Sequence, residues 1–181
     1  VIPAFNEGEG IEACLKSVCD QTLPRDQYEV IVVDGNSKDN TREIAAKYAD
    51  KVFIQTSKKV GGARNDGVME AKYDWIVTAD ADCFFPRTWL ETIVNDFKNH
   101  PEASTFYGPI YPLEPGLKHK IEVFLYNRVV WLGGKTGIFY ATLGANTAFR
   151  KKEFIEAGMY RVCDAGDDWE LPKRMKHFGK V

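Results

Sequence analysis

Trp75-Ile76-Val77-Thr78-Ala79-Asp80-Ala81-Asp82 leaves this chain few ways to fold. Its apolar opening, with β-branched Ile76, Val77 and Thr78, reads as a buried strand. Two carboxylates separated by one small residue close it. In open α/β sheets the carboxyl ends of the strands border the ligand crevice, and Asp80 and Asp82 would splay there. Mg²⁺ or Mn²⁺ takes one or two protein carboxylates and completes its shell with water and phosphate oxygens. The stretch suggests a metal held against a diphosphate. On these residues alone, a solvated turn that caps the next helix explains it as well.

The same strand-then-turn pattern recurs upstream. Val1 to Phe5 reads as a strand end and Asn6-Glu7-Gly8 as a turn. Ile11, Leu15 and Val18 have helical spacing, and the helix should run to about Gln21 before Leu23-Pro24 breaks it. Tyr28 to Asp34 is a second buried strand, and Val52-Phe53-Ile54 a third. Between them Asn40 and Glu43 resemble a capping box for a helix carrying Ile44, Ala45 and Tyr48. Gly61-Gly62 reads as a turn entering a helix through Val68 and Ala71, and Pro86 as a helix start before Leu90, Ile93, Val94 and Phe97. Strands alternating with helices imply parallel pairing and a doubly wound sheet with helices on both faces.

Beyond His100 the alternation becomes irregular. Ser104–Tyr107 reads as a strand, Pro109, Pro112 and Pro115 as a loop, and Leu117 to Val129 as a helix. Tyr140–Phe149 should be extended, and Phe154 should start a short helix that Gly158 ends. A last helix follows Asp168, with Leu171, Met175 and Phe178 on one face and Pro172 in its first turn.

At 181 residues the expectation is one domain, with the regular alternation over residues 1–100 and the irregular remainder over 101–181. A net charge of −2 gives no global pull toward nucleic acid. The four cysteines show neither a disulfide framework nor zinc spacing. No run approaches the roughly 18–20 apolar residues of a membrane span. The chain starts inside a strand without Met and stops where another strand begins, so truncation at both ends is expected.

Several motifs carry two readings each. Asp34 suits a ribose hydroxyl or base N–H, or an ordinary turn. Glu7 borders the first strand's mouth, or simply favours a helix N-terminus. Arg64, after Gly61-Gly62-Ala63, offers a guanidinium to phosphate, or is a surface residue. Asp167-Asp168 offers a general base, or a cap with a spare neighbour. The small residues around Asn146 allow close approach of a substrate, or mark an edge strand. Cations and aromatics interleave over 117–140, as on a membrane-surface helix or on a core helix with a solvated face. Gly8-Glu9-Gly10-Ile11-Glu12-Ala13 matches a dinucleotide fingerprint in outline. Its acidic residues crowd the position a pyrophosphate needs, and it leaves Asp80, Asp82, Asp167 and Asp168 unexplained.

Together, Val1-Ile2-Pro3-Ala4-Phe5-Asn6-Glu7, Val30 to Ser37 with Asp39 and Thr41, Gly62-Ala63-Arg64-Asn65-Asp66-Gly67, Asp80-Ala81-Asp82, Asn146 to Arg150 and Gly166-Asp167-Asp168-Trp169-Glu170-Leu171 resemble family-2 glycosyltransferases in order and content. The resemblance implies the GT-A fold, a Rossmann-like, mostly parallel sheet, with residues 1–100 as a nucleotide-binding half and 101–181 as an acceptor-side half. It also implies an inverting hexosyltransferase-type enzyme with a nucleotide-diphospho-sugar donor, a hydroxyl acceptor and Mn²⁺ or Mg²⁺. By position, Pro3, Ala4, Phe5 and Glu7 would line the nucleoside pocket and Asp34 would bond the base. Arg64 and Ala81 would lie near the nucleotide, Asp80 near the ribose, and Asp82 at the metal. Asp168, or Asp167 beside it, would be the base, with Asn146 and Trp169 on the acceptor side. A lipid-linked acceptor, a peripheral membrane contact and a cytoplasmic location, or the cytoplasmic face of a membrane, are further expectations. A nucleotidyltransferase and a catalytically silent sugar-nucleotide-binding module stay open as other classes.

Overall fold

The computed structural model describes residues 1–109, 111, 116–136, 144–162 and 167–181; the side chains of His119 and of residues 167–169 are outside that set. The described elements are β1 (Ile2–Ala4), α1 (Ile11–Cys19), β2 (Ile31–Asp34), α2 (Thr41–Ala45), β3 (Lys51–Ile54), α3 (Lys59–Glu70) and β4 (Trp75–Ala79). They continue with α4 (Trp89–Asn99), β5 (Thr105–Tyr107), α5 (Leu117–Thr136), β6 (Asn146–Arg150), α6 (Lys151–Glu156) and α7 (Asp167–Met175).

β1, β2 and β3 form a parallel group in that order, with Ile2 opposite Val32 and Val33 opposite Phe53. β6 lies antiparallel between β4 and β5, pairing Thr78 with Thr147 and Tyr107 with the same Thr147. The groups meet at β1 and β4, where Val1 N donates to Val77 O (2.8 Å) and Ala79 N to Val1 O (3.0 Å). That pattern is parallel. The order is therefore β3-β2-β1-β4-β6-β5, an α/β sheet in which, among the described strands, only β6 runs backwards. Lys180 adds a parallel bridge to Ala103 beside β5, as the strand-like chain end suggested.

Alternation along buried strands sends successive side chains to opposite layers. Ile2, Val30, Val32 and Ala79 pack with Ile11, Leu15 and Val18 of α1 and Trp89 and Leu90 of α4. Ile31, Val33, Ile76 and Phe149 pack with Ala63 and Val68 of α3, Phe154 of α6, and Leu171 and Met175 of α7. Two apolar layers thus fix the sheet and aim its carboxyl edge at one crevice.

Four local expectations change. Gly61 and Gly62 lie inside α3, which starts at Lys59, and do not form a turn before it. A Cβ on Gly62 would come within 2.8 Å of Ser57 Cβ, so the glycine permits close packing. Asn40 makes no capping bond. Asp39 bonds Thr41 N (3.1 Å) and Thr41 Oγ1 (2.5 Å) instead. Pro86 precedes α4, whose first residue is Trp89. α7 begins at Asp167, so buried Pro172 falls in its second turn, and Phe178 lies past its end, 38% exposed. Pro112, Pro115 and residues 140–143 of the expected extended run lie outside the described residues.

Candidate active site

The crevice begins where β1, β2 and β4 end. Asn6 (φ 56°) and Asn36 (φ 67°) turn the chain through the left-handed region, which asparagine tolerates better than most residues. The two loops that follow are zipped together. Asn6 N donates to Ser37 Oγ (2.8 Å), Lys38 N to Asn6 Oδ1 (2.9 Å), Glu7 N to Thr41 Oγ1 (2.8 Å) and Gly8 N to Asp39 Oδ2 (2.9 Å). Gly35 N closes the base of the zipper on Ala4 O (2.7 Å). Pro3 and buried Ala4 lie in β1, and Phe5 stands 60% exposed over Gly35. An exposed aromatic face on a fixed loop suits a planar base.

Asp34 is fully buried. Ser37 N (2.8 Å) and Ser37 Oγ (2.5 Å) each donate to one of its oxygens, and Arg42 Nε lies 3.6 Å away. Its visible work is to hold the β2–α2 turn. Asp80 and Asp82 follow β4. Asp80 accepts from Arg64 Nη2 (2.8 Å), Ala81 is buried, and Asp82 is exposed. Burial raises the Glu7 carboxyl above its ordinary value, and the neighbouring charges of Asp82, Asp39 and Asp80 push the same way. Four acids from three loops thus share one field, which is unfavourable without a cation.

Among the described residues no three His, Cys, Asp or Glu side chains stand close enough to hold a metal alone. That donor set fits a hard cation taking one or two carboxylates here and its other oxygens from phosphates and water. Arg64 lies on the same side. It is 3% exposed, with Tyr160 under its guanidinium (5.5 Å) and Gly144 against it, where any Cβ would collide with the guanidinium nitrogens.

Asn65 was not singled out in the sequence, although it follows Arg64 directly. Its amide donates to Tyr160 O (2.8 Å) and accepts from Tyr160 N (2.9 Å), both buried. This pair ties α3 to the loop before α7. Asn65→Ala strands two buried backbone groups, each worth about 1–3 kcal/mol. Urea unfolding should show a loss of at least about 2 kcal/mol, and an unchanged midpoint would refute that role.

Asp167 and Asp168 open α7. The far end of α7 is anchored low on the sheet, where Ser104 Oγ donates to Met175 O (3.0 Å). Both ends of α7 meet the loop that carries Tyr160: Glu170 in the first turn lies 3.3 Å from Arg161, and Arg174 in the last turn bonds Glu170 (2.8 Å) and Met159 O (2.7 Å). The two aspartates begin the helix, at the end opposite Met175. Trp169 follows them. Asn146 accepts from Trp89 Nε1 (2.9 Å), and Gly108 N donates to its carbonyl (3.1 Å), so it braces β6 against α4 and β5. Beside it a cavity lined by Asp82, Phe84, Trp89, Tyr107 and Tyr111 opens from the carboxylates.

The family model for glycosyl transferase family 2 matches residues 1–162. Glycosyltransferase AglE of Haloferax volcanii is 38% identical over 97 residues, covering 50% of this chain and 32% of AglE. The dolichyl N-acetyl-alpha-D-glucosaminyl phosphate 3-beta-D-2,3-diacetamido-2,3-dideoxy-beta-D-glucuronosyltransferase of Methanococcus voltae is 25% identical over 155 residues, covering 80% of this chain and 48% of the relative. The mannosyltransferase PcManGT of Pyrobaculum calidifontis, solved with GDP-Man and Mn²⁺, superposes with a TM-score of 0.77 at 22% identity, over 99% of this chain and 51% of PcManGT. This chain spans about half or less of the length of each of these proteins.

Proposed function

Because the chain belongs to glycosyl transferase family 2 and has the GT-A fold, we propose that it transfers a sugar from a nucleotide-diphospho-sugar to an acceptor hydroxyl with inversion. The observation that carries this is the crevice edge, where Arg64, Asp80 and Asp82 face Glu7 across a prebuilt loop zipper. Phe5 and the β1 and β2 loops receive the nucleoside. The Asp34 turn sets that pocket's depth and, on the family pattern, meets the base. Asp80 and Ala81 border the ribose.

Asp82, with Asp80 beside it, would hold Mn²⁺ or Mg²⁺. The cation supplies Lewis-acid stabilisation of the charge developing on the departing diphosphate. Arg64 adds a fixed positive charge there, already oriented by Asp80 and Tyr160, so little reorganisation is needed. Asp168 takes the proton from the acceptor hydroxyl as that oxygen attacks the anomeric carbon opposite the leaving group. One displacement inverts the centre and needs no enzyme nucleophile. Asn146 and Trp169 lie on the acceptor side. A dolichyl phosphate in one relative's name supports a lipid-linked acceptor.

Metal dependence is the test. Calorimetry with uridine and guanosine diphosphates should give at least tenfold tighter binding of one of them with Mn²⁺ than with EDTA, as expected when a cation joins Asp82 to the phosphates. Equal affinity in both conditions for both nucleotides refutes the metal role. Release of free nucleoside diphosphate from a nucleotide sugar in the presence of acceptor separates a transferase from a silent binding module.

A further inference from the structure

α5 presents two unlike faces. Val123, Tyr126, Asn127, Val130, Gly133 and Gly134 recur at helical spacing and are buried or half-buried, with Gly134 against Tyr107 at the end of β5. The opposite face carries Leu117, Ile121, Phe124, Leu125, Val129 and Leu132, each more than half exposed. Trp131, 53% exposed, flanks it. Arg128 and Lys135 rise through this apolar face. Arg128 lies over the rings of Phe124 (5.9 Å) and Trp131 (5.4 Å), and Lys135 over Trp131 (4.9 Å). Lys118 and Lys120 are exposed nearer the start of the helix. Glu122 is the one acid in α5, in a chain of net charge −2.

We propose that this outer face of α5 docks on an anionic lipid surface. A covering protein segment would have to bury Arg128 and Lys135 amid apolar side chains with no acid beside them on the helix, at a heavy desolvation cost. Lipid headgroups supply phosphates at the depth where cations snorkel above aromatic rings, while Leu and Ile reach the acyl boundary. The helix does not cross the bilayer: no helix among the described residues is long and apolar enough. β5 runs parallel to β4, so Tyr107 and the packed end of α5 lie at the same sheet edge as Asp80 and Asp82. Docking there brings the crevice to the lipid plane.

Co-sedimentation without nucleotide tests this independently of the transferase reading. The chain should pellet with phosphatidylcholine vesicles containing phosphatidylglycerol at low salt, and should be released as salt rises. Arg128→Glu with Lys135→Glu should lower partitioning on the order of tenfold or more. Acyl-brominated lipid should quench the tryptophan emission, and Trp131→Phe should remove that quenching. All three positions are exposed, and circular dichroism should show the fold retained. Failure to pellet at low salt overturns the proposal, as does undiminished binding by the double variant. Concentration-dependent self-association with no vesicle binding would make the face a protein interface and also overturn it.

Discussion

Replacing Asp168 by alanine is expected to lower turnover about 10²- to 10⁴-fold, the scale of a lost general base. Donor affinity should stay near wild type, because the groups assigned to the diphosphate are Arg64, Asp80 and Asp82. Asp82→Ala should fail in the opposite way, weakening donor binding first. Single-turnover kinetics with calorimetry on the same variants measures both quantities. Full turnover by Asp168→Ala beside an inactive Asp167→Ala would move the base one residue back along α7.

Phe149→Ala should cost about 3–5 kcal/mol of stability, the range for removing a fully buried aromatic. Phe149 is 0% exposed, stacks on Phe154 with centroids 4.2 Å apart and meets Tyr160 edge-on. Tyr160 in turn lies beneath Arg64. The cavity should loosen that ring, so weaker nucleotide binding is expected alongside the stability loss. Urea unfolding read by fluorescence tests this. A loss below about 1 kcal/mol would mean that the layer collapses to refill the space.

Strands with near-continuous apolar runs were legible because both faces are buried, so Ile31-Val32-Val33 and Ile76-Val77 carry their assignment locally. The carboxyl-edge position of Asp34, Asp80 and Asp82 followed from that alternation alone. Long-range closure was not legible. The antiparallel course of β6 depends on pairing Asn146–Arg150 with Trp75–Ala79, far away in sequence. Arg64 read locally as either a phosphate ligand or a surface residue, yet it is buried by Tyr160 and Gly144, residues that no nearby pattern connects to it. Asn40 and Glu43 matched a capping pattern, but Asp39, one residue earlier, already bonds Thr41 and Gly8. Local motif matching cannot weigh that competition.

The reversal at β6 has a consequence for how such a chain can diversify. β5 ends and β6 begins at the same edge, where Tyr107 faces Thr147 and Gly108 N closes a neck on Asn146 O. The segment between Gly108 and Asn146, which includes α5, is an excursion that leaves and re-enters the sheet at adjacent points. Such an excursion can lengthen, shorten or change composition without shifting the register of any strand, and loop-closure entropy grows only slowly with length. Mutation can then remodel this segment while the β1–α1 and β2–α2 loops keep their bonds. Exchanging it between homologues, cut at the Gly108–Asn146 neck, should leave the pairing of the strands unchanged.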